Sequence, residues 1–374
     1  MRRLRPPPDR RREPAAVARG REQFLGPLVP IARAKALMDV GNALDGLDGT
    51  DAVLEHYRVA GDLFRAYDDT HGEANVRANL AVALRRRGDL DAAERTARRA
   101  LDGYRTVGDE HREAISLLNL SAVAEQRGAV GEAVAHASEA RAIAKRIGSD
   151  MYEAFALSHL GSAAHLAGDL DRAERFLTAA LDGLDRLGAD TRCAMVTAIL
   201  GEVAVDRGDP TEAERRIERT ASLLDDHAGR KRLVELDRIR GRLALARGAG
   251  VAAAAALTDA VDAARAGGFT QVEAHALASL GAAAAERGDA PAAAERLTAA
   301  LDLGHRIDCA RAIVSAADRL ADLLGTEPAV REFTPDRGLA ERLGIGAERV
   351  AFAAGSGVSD AFVDDGGDID VELR

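Results

Sequence analysis

Asparagine stands at positions 79 and 119 and histidine at 159, so three hydrogen-bonding side chains follow one another at steps of 40 residues. A carboxamide carries both donors and an acceptor. A row of such groups can therefore pair with the backbone of an extended peptide, while charged neighbours set specificity. The alternative is that Asn79 and Asn119 only cap or bridge neighbouring helices.

Residue types that carry catalysis are not arranged in any recognisable motif. The sequence contains no GxxxxGK[ST] loop, GxGxxG, HExxH, GxSxG or paired-cysteine metal motif. Many carboxylates recur with the 40-residue step, including a column near the start of helices, where acids suit the helix dipole; it comprises Glu73, Glu113, Glu153 and Glu273. We therefore expect no enzymatic activity, no cofactor and no metal site.

The element that positions the polar row is marked by glycine, which recurs without slippage at 88, 128, 168, 208, 248 and 288. A small residue precedes each glycine by seven positions, and alanine follows each by five. Apolar residues between these columns are three or four apart, as with Ile115 and Leu118, which places them on one helical face. A fixed period of this length indicates one supersecondary unit copied in tandem.

The residues at the glycine predict how each unit turns. Glycine after a helix adopts the left-handed C′ conformation without a Cβ penalty. Aspartate, a good N-cap, follows it directly in four copies, at Asp89, Asp169, Asp209 and Asp289. Pro210 then stands where a first-turn proline is tolerated. Each unit should be a helix, a tight turn and a second helix.

These columns resemble the tetratricopeptide repeat. The segments NLAVALRRRGDLDAAERTARRAL (79–101), HLGSAAHLAGDLDRAERFLTAAL (159–181) and SLGAAAAERGDAPAAAERLTAAL (279–301) carry the pattern, and the long unit is similar to the family's long-helix branch. The resemblance covers roughly residues 30–325. It implies an all-α fold, a right-handed superhelical solenoid of about seven antiparallel helix hairpins plus a terminal capping helix.

The resemblance also implies a binding surface, because the first helix of each hairpin lines the concave groove in that family. The candidate contact residues on this stripe are Asn42, Asn75, Asn79, Arg85, Arg86, Asn119, Gln126, His159 and His165. The C-terminal half of the stripe is more apolar and carries Glu202, Arg238 and Arg242 as scattered charges. We therefore expect the N-terminal half to bind.

One specialised form of binding is disfavoured. Asn42 and Asn79 fall where the family's chaperone-tail clamp has its asparagines. However, Met38, Ile115 and Asn119 stand where that clamp has cations. A bound carboxylate would lose its charge-assisted bonds there.

One repeat departs from the others. Arg240 replaces the leucine found at 80, 120, 160, 200 and 280. The arginine would have to extend its guanidinium out of a packed interface. We expect a looser joint in the sixth repeat.

Composition narrows the partners and the location. The net charge is −10, and Tyr, Phe and Trp together make up 3% of the residues. A sequence-independent nucleic-acid binder is normally basic, so we expect the repeat body to bind no DNA or RNA. Neither a membrane-length apolar run nor a signal-peptide core is present, which predicts a cytoplasmic protein without membrane contact.

The two ends differ from the repeats. Residues 1–29 are Pro- and Arg-rich and are expected to be a disordered basic arm. Residues 326–374 break the period and are expected to form a short helix and an acidic flexible tail. The repeat array between them is predicted to be an interaction module that binds a peptide segment or a partner protein in its concave groove. The alternative is a ligand- or peptide-sensing regulatory subunit of a signalling or transcription-control system.

Overall fold

The computed structural model describes residues 30–45, 51–224 and 230–323, and almost all of them are helical. No strand occurs in these ranges. They contain fifteen helices: α1 (Pro30–Asp45), α2 (Asp51–Ala66), α3 (Thr70–Arg87), α4 (Leu90–Val107), α5 (Glu110–Arg127), α6 (Val130–Arg146), α7 (Asp150–Leu166), α8 (Leu170–Arg186), α9 (Asp190–Arg207), α10 (Pro210–Leu223), α11 (Arg230–Ala246), α12 (Gly250–Gly267), α13 (Thr270–Glu286), α14 (Ala290–Arg306) and α15 (Ala310–Leu323).

Consecutive helices pack as hairpins, from α1 with α2 through α13 with α14, and α15 follows as a single helix. The odd-numbered helices are the first helices of the hairpins and the even-numbered ones are the second helices. Each hairpin packs on the next, so that the repeats stack into one array. The predicted solenoid of about seven hairpins and a terminal helix is confirmed.

The turn inside each hairpin has the predicted chemistry. All six glycines of the ladder have a positive φ, between 71° and 90°. Asp169, Asp209 and Asp289 each accept a hydrogen bond from the backbone N–H three residues later, at 2.9, 3.0 and 3.2 Å. Asp89 stands at the same position but makes no such bond, because its carboxylate pairs with Arg87.

The small-residue column lets the two helices of a hairpin approach closely. A Cβ added at Gly281 would lie 2.6 Å from Cγ of Leu297, closer than carbon atoms normally come. Gly201 differs, because the nearest atom to its added Cβ would be Cβ of Arg216, at an ordinary 3.5 Å. The leucine contact recurs at 2.5 and 2.6 Å for Gly161 against Leu177 and for Gly241 against Leu257.

The corners between hairpins have a glycine column of their own, which the sequence analysis did not identify. Four of these corners contain a glycine with positive φ, at Gly108, Gly148, Gly188 and Gly268. Arginine and glutamate eight residues apart also bridge several corners: Arg105 Nε donates to Glu113 at 2.8 Å, and Arg265 Nε donates to Glu273 at 2.9 Å. The glutamate column therefore joins one hairpin to the next.

The array closes on itself at the corner between α14 and α15. Gln126 Nε2 donates to the backbone oxygen of Ile307 at 3.3 Å, and Arg127 Nε donates to Asp308 Oδ2 at the same distance. A Cβ added at Gly88 would lie 3.0 Å from Cα of Ile307, which shows how closely the two segments pack. The last corner thus lies against the C-terminal ends of α3 and α5.

The sixth repeat also differs from the others in its structure. Arg240 is exposed, and its guanidinium donates to Asp237 at 2.8 Å, outside the packed interface. The second helix before it, α10, has 14 residues, whereas the other second helices have 16 to 18. A looser joint there stays a prediction.

Several expectations concern other parts of the chain. The basic arm (1–29) and the acidic tail (326–374) lie outside the described residues. Within the described ranges, none of the helices has the combination of length and apolar character that crossing a membrane requires.

Candidate functional site

The first helices line the inside of the superhelix. Each one contacts the first helix of the next hairpin, and no comparable contact joins successive second helices in the described ranges. The side chains at Asn79, Asn119 and His159 occupy one slot on successive first helices, α3, α5 and α7. The inner surface of these helices is the groove considered below.

The polar row, which we take to comprise Asn42 and Asn75 together with Asn79, Asn119 and His159, begins with a hydrogen-bonded pair. Asn79 Nδ2 donates to Asn42 Oδ1 at 2.8 Å, which joins α3 to α1. The same oxygen accepts from the hydroxyl of Tyr57 at 2.9 Å, and Tyr57 is buried. The buried tyrosine fixes the orientation of the Asn42 carboxamide. Asn79 thus bridges two helices, while each carboxamide keeps hydrogen-bonding capacity beyond this contact.

Asn75 is held in a similar way by a second tyrosine. Tyr104 is buried on α4, and its hydroxyl donates to Asn75 Oδ1 at 2.9 Å. Burial raises the pKa of Tyr104 to about 12, so the hydroxyl remains a donor at physiological pH. Asn75 Nδ2 lies 3.2 Å from Nδ1 of His71 one turn earlier. The sequence analysis did not anticipate these two tyrosines.

Asn119 and His159 continue the row on α5 and α7. Both are partly buried. His159 Nδ1 lies 2.5 Å from Oε1 of Glu125, which joins these two first helices. Ser121 Oγ also donates to that carboxylate, at 3.2 Å. Hydrogen-bonding contacts thus join α1 to α3 and α5 to α7 along the N-terminal part of the groove.

The remaining predicted residues lie toward the C-terminal ends of α3, α5 and α7. Arg85 is partly buried and Arg86 exposed, both close to the C-terminal end of α3. Gln126 is buried beneath the closing corner and donates to it. His165 is buried on α7, and its Nε2 lies 2.7 Å from Oδ2 of Asp206. Gln126 and His165 therefore have partners within the chain.

Charged side chains that the sequence analysis treated as scattered converge between α9, α11 and α15. The carboxylate of Glu202 on α9 forms an ion pair with the guanidinium of Arg238 on α11. It forms a second ion pair, at 3.0 Å, with the guanidinium of Arg311 on α15. Asp206, one turn after Glu202, accepts from Arg242 at 2.5 Å. These five residues form what we call the arginine cluster. Both Glu202 and Arg238 are more than nine-tenths buried.

The electrostatics of the cluster follow from burial and from the guanidinium groups. Burial alone would raise the pKa of Glu202, but Arg238, Arg311 and Arg242 hold it well below the usual range. Burial also opposes ionisation of Asp206, yet the hydrogen bond with His165 and the charge of Arg242 bring its pKa to about 2. Both carboxylates are therefore charged at neutral pH.

Two histidines beside the cluster are kept neutral. Burial, followed by the charge of Arg311, lowers the pKa of His165. His275 on α13 is partly buried, and burial followed by the charges of Arg238 and Arg311 lowers its pKa to about 3. Its Nε2 lies 3.4 Å from Sγ of Cys309.

A spacing rule in the sequence could have found most of the cluster. Glu202 with Arg238, and Asp206 with Arg242, are each 36 residues apart, which is one repeat minus one helical turn. Asn42 and Asn79 are 37 apart. Several contacts between successive first helices thus fall at 36 or 37 residues, although His159 and Glu125 are 34 apart and His165 and Asp206 are 41 apart. Arg311 could not have been found by this rule, since it reaches α9 only through the closure.

Comparison with known proteins agrees with this architecture. Residues 72–146, which span most of the two hairpins from α3 to α6, match the model of the tetratricopeptide repeat family. The resemblance to the tetratricopeptide repeat, which was inferred from the turn residues and the repeated columns, is confirmed. The described residues form a helical-repeat solenoid similar to those of the tetratricopeptide repeat family. Among curated proteins, none matches the chain in sequence.

Several solved structures share the fold at low sequence identity. A Rap protein complexed with Competence and Sporulation Factor has a TM-score of 0.68 at 15% identity, covering 78% of this chain and 80% of its own. The Rap conjugation gene regulator of plasmid pLS20, in complex with the Phr* peptide, has a TM-score of 0.63 at 14% identity, with 79% and 77% covered. Aspartyl phosphate phosphatase F from Bacillus subtilis has a TM-score of 0.60 at 10% identity, with 72% and 70% covered.

Proposed function

We propose that this chain is a non-enzymatic interaction module that binds an extended peptide segment, either free or part of a partner protein, in its concave groove. The N-terminal polar row supplies the backbone contacts. The residues assigned to the site are Asn42, Asn75, Asn79, Arg85, Arg86, Asn119, Gln126, His159 and His165.

The observation that carries the proposal is the polar row itself. Buried tyrosines orient the carboxamides of Asn42 and Asn75, so these groups have little conformational freedom left to lose on binding. Asn79 and Asn119 repeat one slot on neighbouring helices, which matches a ligand that runs along the groove. The rest of their hydrogen-bonding capacity suits peptide N–H and C=O groups.

The solved structures support the proposal at the level of the fold. The pLS20 Rap regulator, which shares this architecture, is in complex with a peptide. A solenoid of this shape can therefore accommodate that class of ligand. Low identity between the chains leaves the contact residues of this groove to be tested directly.

The test begins with a partner captured from the native host and identified, whose contacting segment is then made as a peptide. Its affinity is measured by titration calorimetry for the parent chain and for Asn79→Ala combined with Asn119→Ala. Each lost hydrogen bond removes about 1 kcal/mol. We therefore expect the double change to weaken binding about 10- to 100-fold.

A matched control separates the groove from the rest of the surface. Arg99→Ala combined with Ser138→Ala alters two exposed residues on the second helices α4 and α6 and should leave the affinity unchanged. Urea unfolding checks that both double variants are folded. If the peptide binds the groove variant as tightly as the parent chain, the assignment of the polar row is wrong.

A second candidate function is a peptide- or ligand-sensing regulatory subunit. The closing contact between Gln126 and Ile307 favours it, because a corner that touches two distant repeats can report a change in the superhelix. Neighbouring genes for a kinase or a DNA-binding protein would favour sensing. One stoichiometric partner with no change in shape on binding would favour the simple interaction module.

A further inference from the structure

The arginine cluster is a further feature of the groove, separate from the polar row. It lies on α9, α11 and α15, whereas the row lies on α1, α3, α5 and α7. We propose that the cluster is a binding site for a carboxylate group, supplied by the chain end or by an acidic side chain of a peptide in the groove. The peptide origin of the carboxylate rests on the proposed function, but the anion site does not.

The first argument is charge. Three guanidinium groups, those of Arg238, Arg242 and Arg311, meet only two carboxylates, those of Glu202 and Asp206. Charges in a poorly solvated site need partners, because an uncompensated one is strongly destabilising. The cluster therefore has one positive charge more than its own carboxylates can neutralise.

None of the ion pairs among the described residues brings a third carboxylate to these guanidinium groups. Glu235 is close enough to Arg238 for the two charges to interact, and burial raises its pKa, but it forms no ion pair with Arg238. Arg319 on α15 interacts with the charge of Arg242 and also with those of Glu286 and Asp322. The two adjacent histidines are neutral, as described above. An external anion would complete the pairing of the three guanidinium groups.

The second argument is an unused donor. Nε of Arg238 is buried and has no hydrogen-bond partner among the described residues. The side chain that carries it is only 9% exposed. Buried polar groups in native proteins are almost always paired, so an orphan N–H indicates a partner that comes from outside the chain. A carboxylate oxygen suits a guanidinium donor in charge and in geometry.

Part of the cluster is open to solvent. The side chains of Arg311 and Asp206 are 38% and 33% exposed, whereas that of Glu202 is 7% exposed. A ligand would approach from the Arg311 side and contact its guanidinium first. Because Arg311 belongs to α15, the site is complete only while the array is closed. Binding of the anion and closure should therefore favour each other.

The experiment uses two small probes of nearly equal size, N-acetyl-L-alanine, which carries a carboxylate, and its neutral amide. The midpoint of thermal unfolding of the full chain is measured against probe concentration at constant ionic strength. We expect the carboxylate to raise the midpoint progressively and the amide to leave it unchanged. A third probe, the α-amide of N-acetyl-L-aspartic acid, carries a side-chain carboxylate and shows which of the two sources the site prefers.

Variants then locate the effect. Arg311→Gln should weaken the apparent affinity for the carboxylate by about tenfold or more, since a hydrogen bond to a charged group is lost. Arg311→Lys, which keeps the charge but not the two-pronged geometry, should have a smaller effect and takes over the test if the glutamine variant does not fold. Arg240→Gln, on α11 but exposed and paired with Asp237, is the control and should bind as the parent does.

Three results would overturn the proposal: equal midpoints with the acid and the amide, an unchanged response in Arg311→Gln, or an equal loss in Arg240→Gln. Failure of the proposed function gives a different pattern. In that case the acid still stabilises the parent chain, and it does so equally in the Asn79→Ala and Asn119→Ala double variant, but no peptide binds.

Discussion

At the scale of single residues, the same amino acid type has different roles in this chain according to its surroundings. His111 is exposed at a helix entrance, whereas His275 is partly buried beside three arginines. Asp209 caps a helix, whereas Asp206, three residues earlier, is an ion-pair partner inside the groove. The identity of a residue therefore predicts its chemistry only when its neighbours are known.

The neutral state of His275 predicts a dependence of stability on pH. Its pKa is about 3 in the folded chain and about 6.5 when exposed. The unfolded chain therefore binds a proton below about pH 6.5 that the folded chain does not, so folding stability falls with decreasing pH from there toward pH 3. Between about pH 7 and pH 5, this group should remove about 2 kcal/mol from the free energy of unfolding.

Urea unfolding at these two pH values measures the effect. His275→Gln should flatten the decline, and His111→Gln, which removes an exposed imidazole elsewhere in the array, is the control. Glu202 and Asp206, with lowered pKa values, contribute only at more acidic pH. Glu235, with a raised pKa, has the opposite sign and is common to all variants. An unaltered pH slope in His275→Gln would show that the imidazole is not held neutral.

At the scale of helices and turns, the sequence pattern was most informative. The glycine ladder, the alanine column and the aspartate caps are local signals, because they act through the backbone of the residues next to them. The corner columns were equally readable from the same period. Asp89 was the exception. It occupies an N-cap position, but the sequence did not reveal that Arg87 would pair with its carboxylate in place of the backbone N–H.

The small-residue column predicts opposite effects for one substitution in two hairpins. Gly281→Ala places a Cβ 2.6 Å from Leu297 Cγ and should lower stability by about 1–3 kcal/mol through overpacking. Gly201→Ala meets only ordinary contacts and should raise stability by up to about 1 kcal/mol, because alanine favours a helix over glycine. Denaturant unfolding of the two variants compares them, and the reverse order would contradict this account of the column.

At the scale of the whole molecule, closure is the property to test. Gln126→Ala combined with Asp308→Asn removes the hydrogen bond and the ion pair that join the last corner to α5. Each contributes about 1 kcal/mol or less. The variant should therefore stay folded but open more readily, with a larger radius of gyration in small-angle X-ray scattering.

Asp68→Asn is the matched control for closure. Asp68 occupies the same corner position as Asp308 and has a similar positive φ, 55° against 51°. It lies at the first corner, away from the closing contact. The control should scatter as the parent chain does. If the double variant also retains the parent radius of gyration, the closing contact is not what holds the array shut.

The sequence by itself determined the repeat, the turns, the helix pairing and the slot shared by Asn79, Asn119 and His159. Each of these depends on contacts within one hairpin or between neighbouring hairpins, which a fixed period encodes. Only the tertiary structure decided that Arg311 reaches Glu202 and that Gln126 meets Ile307. Those contacts depend on the curvature of the array. A small rotation per repeat, added over the hairpins between them, determines whether its ends meet.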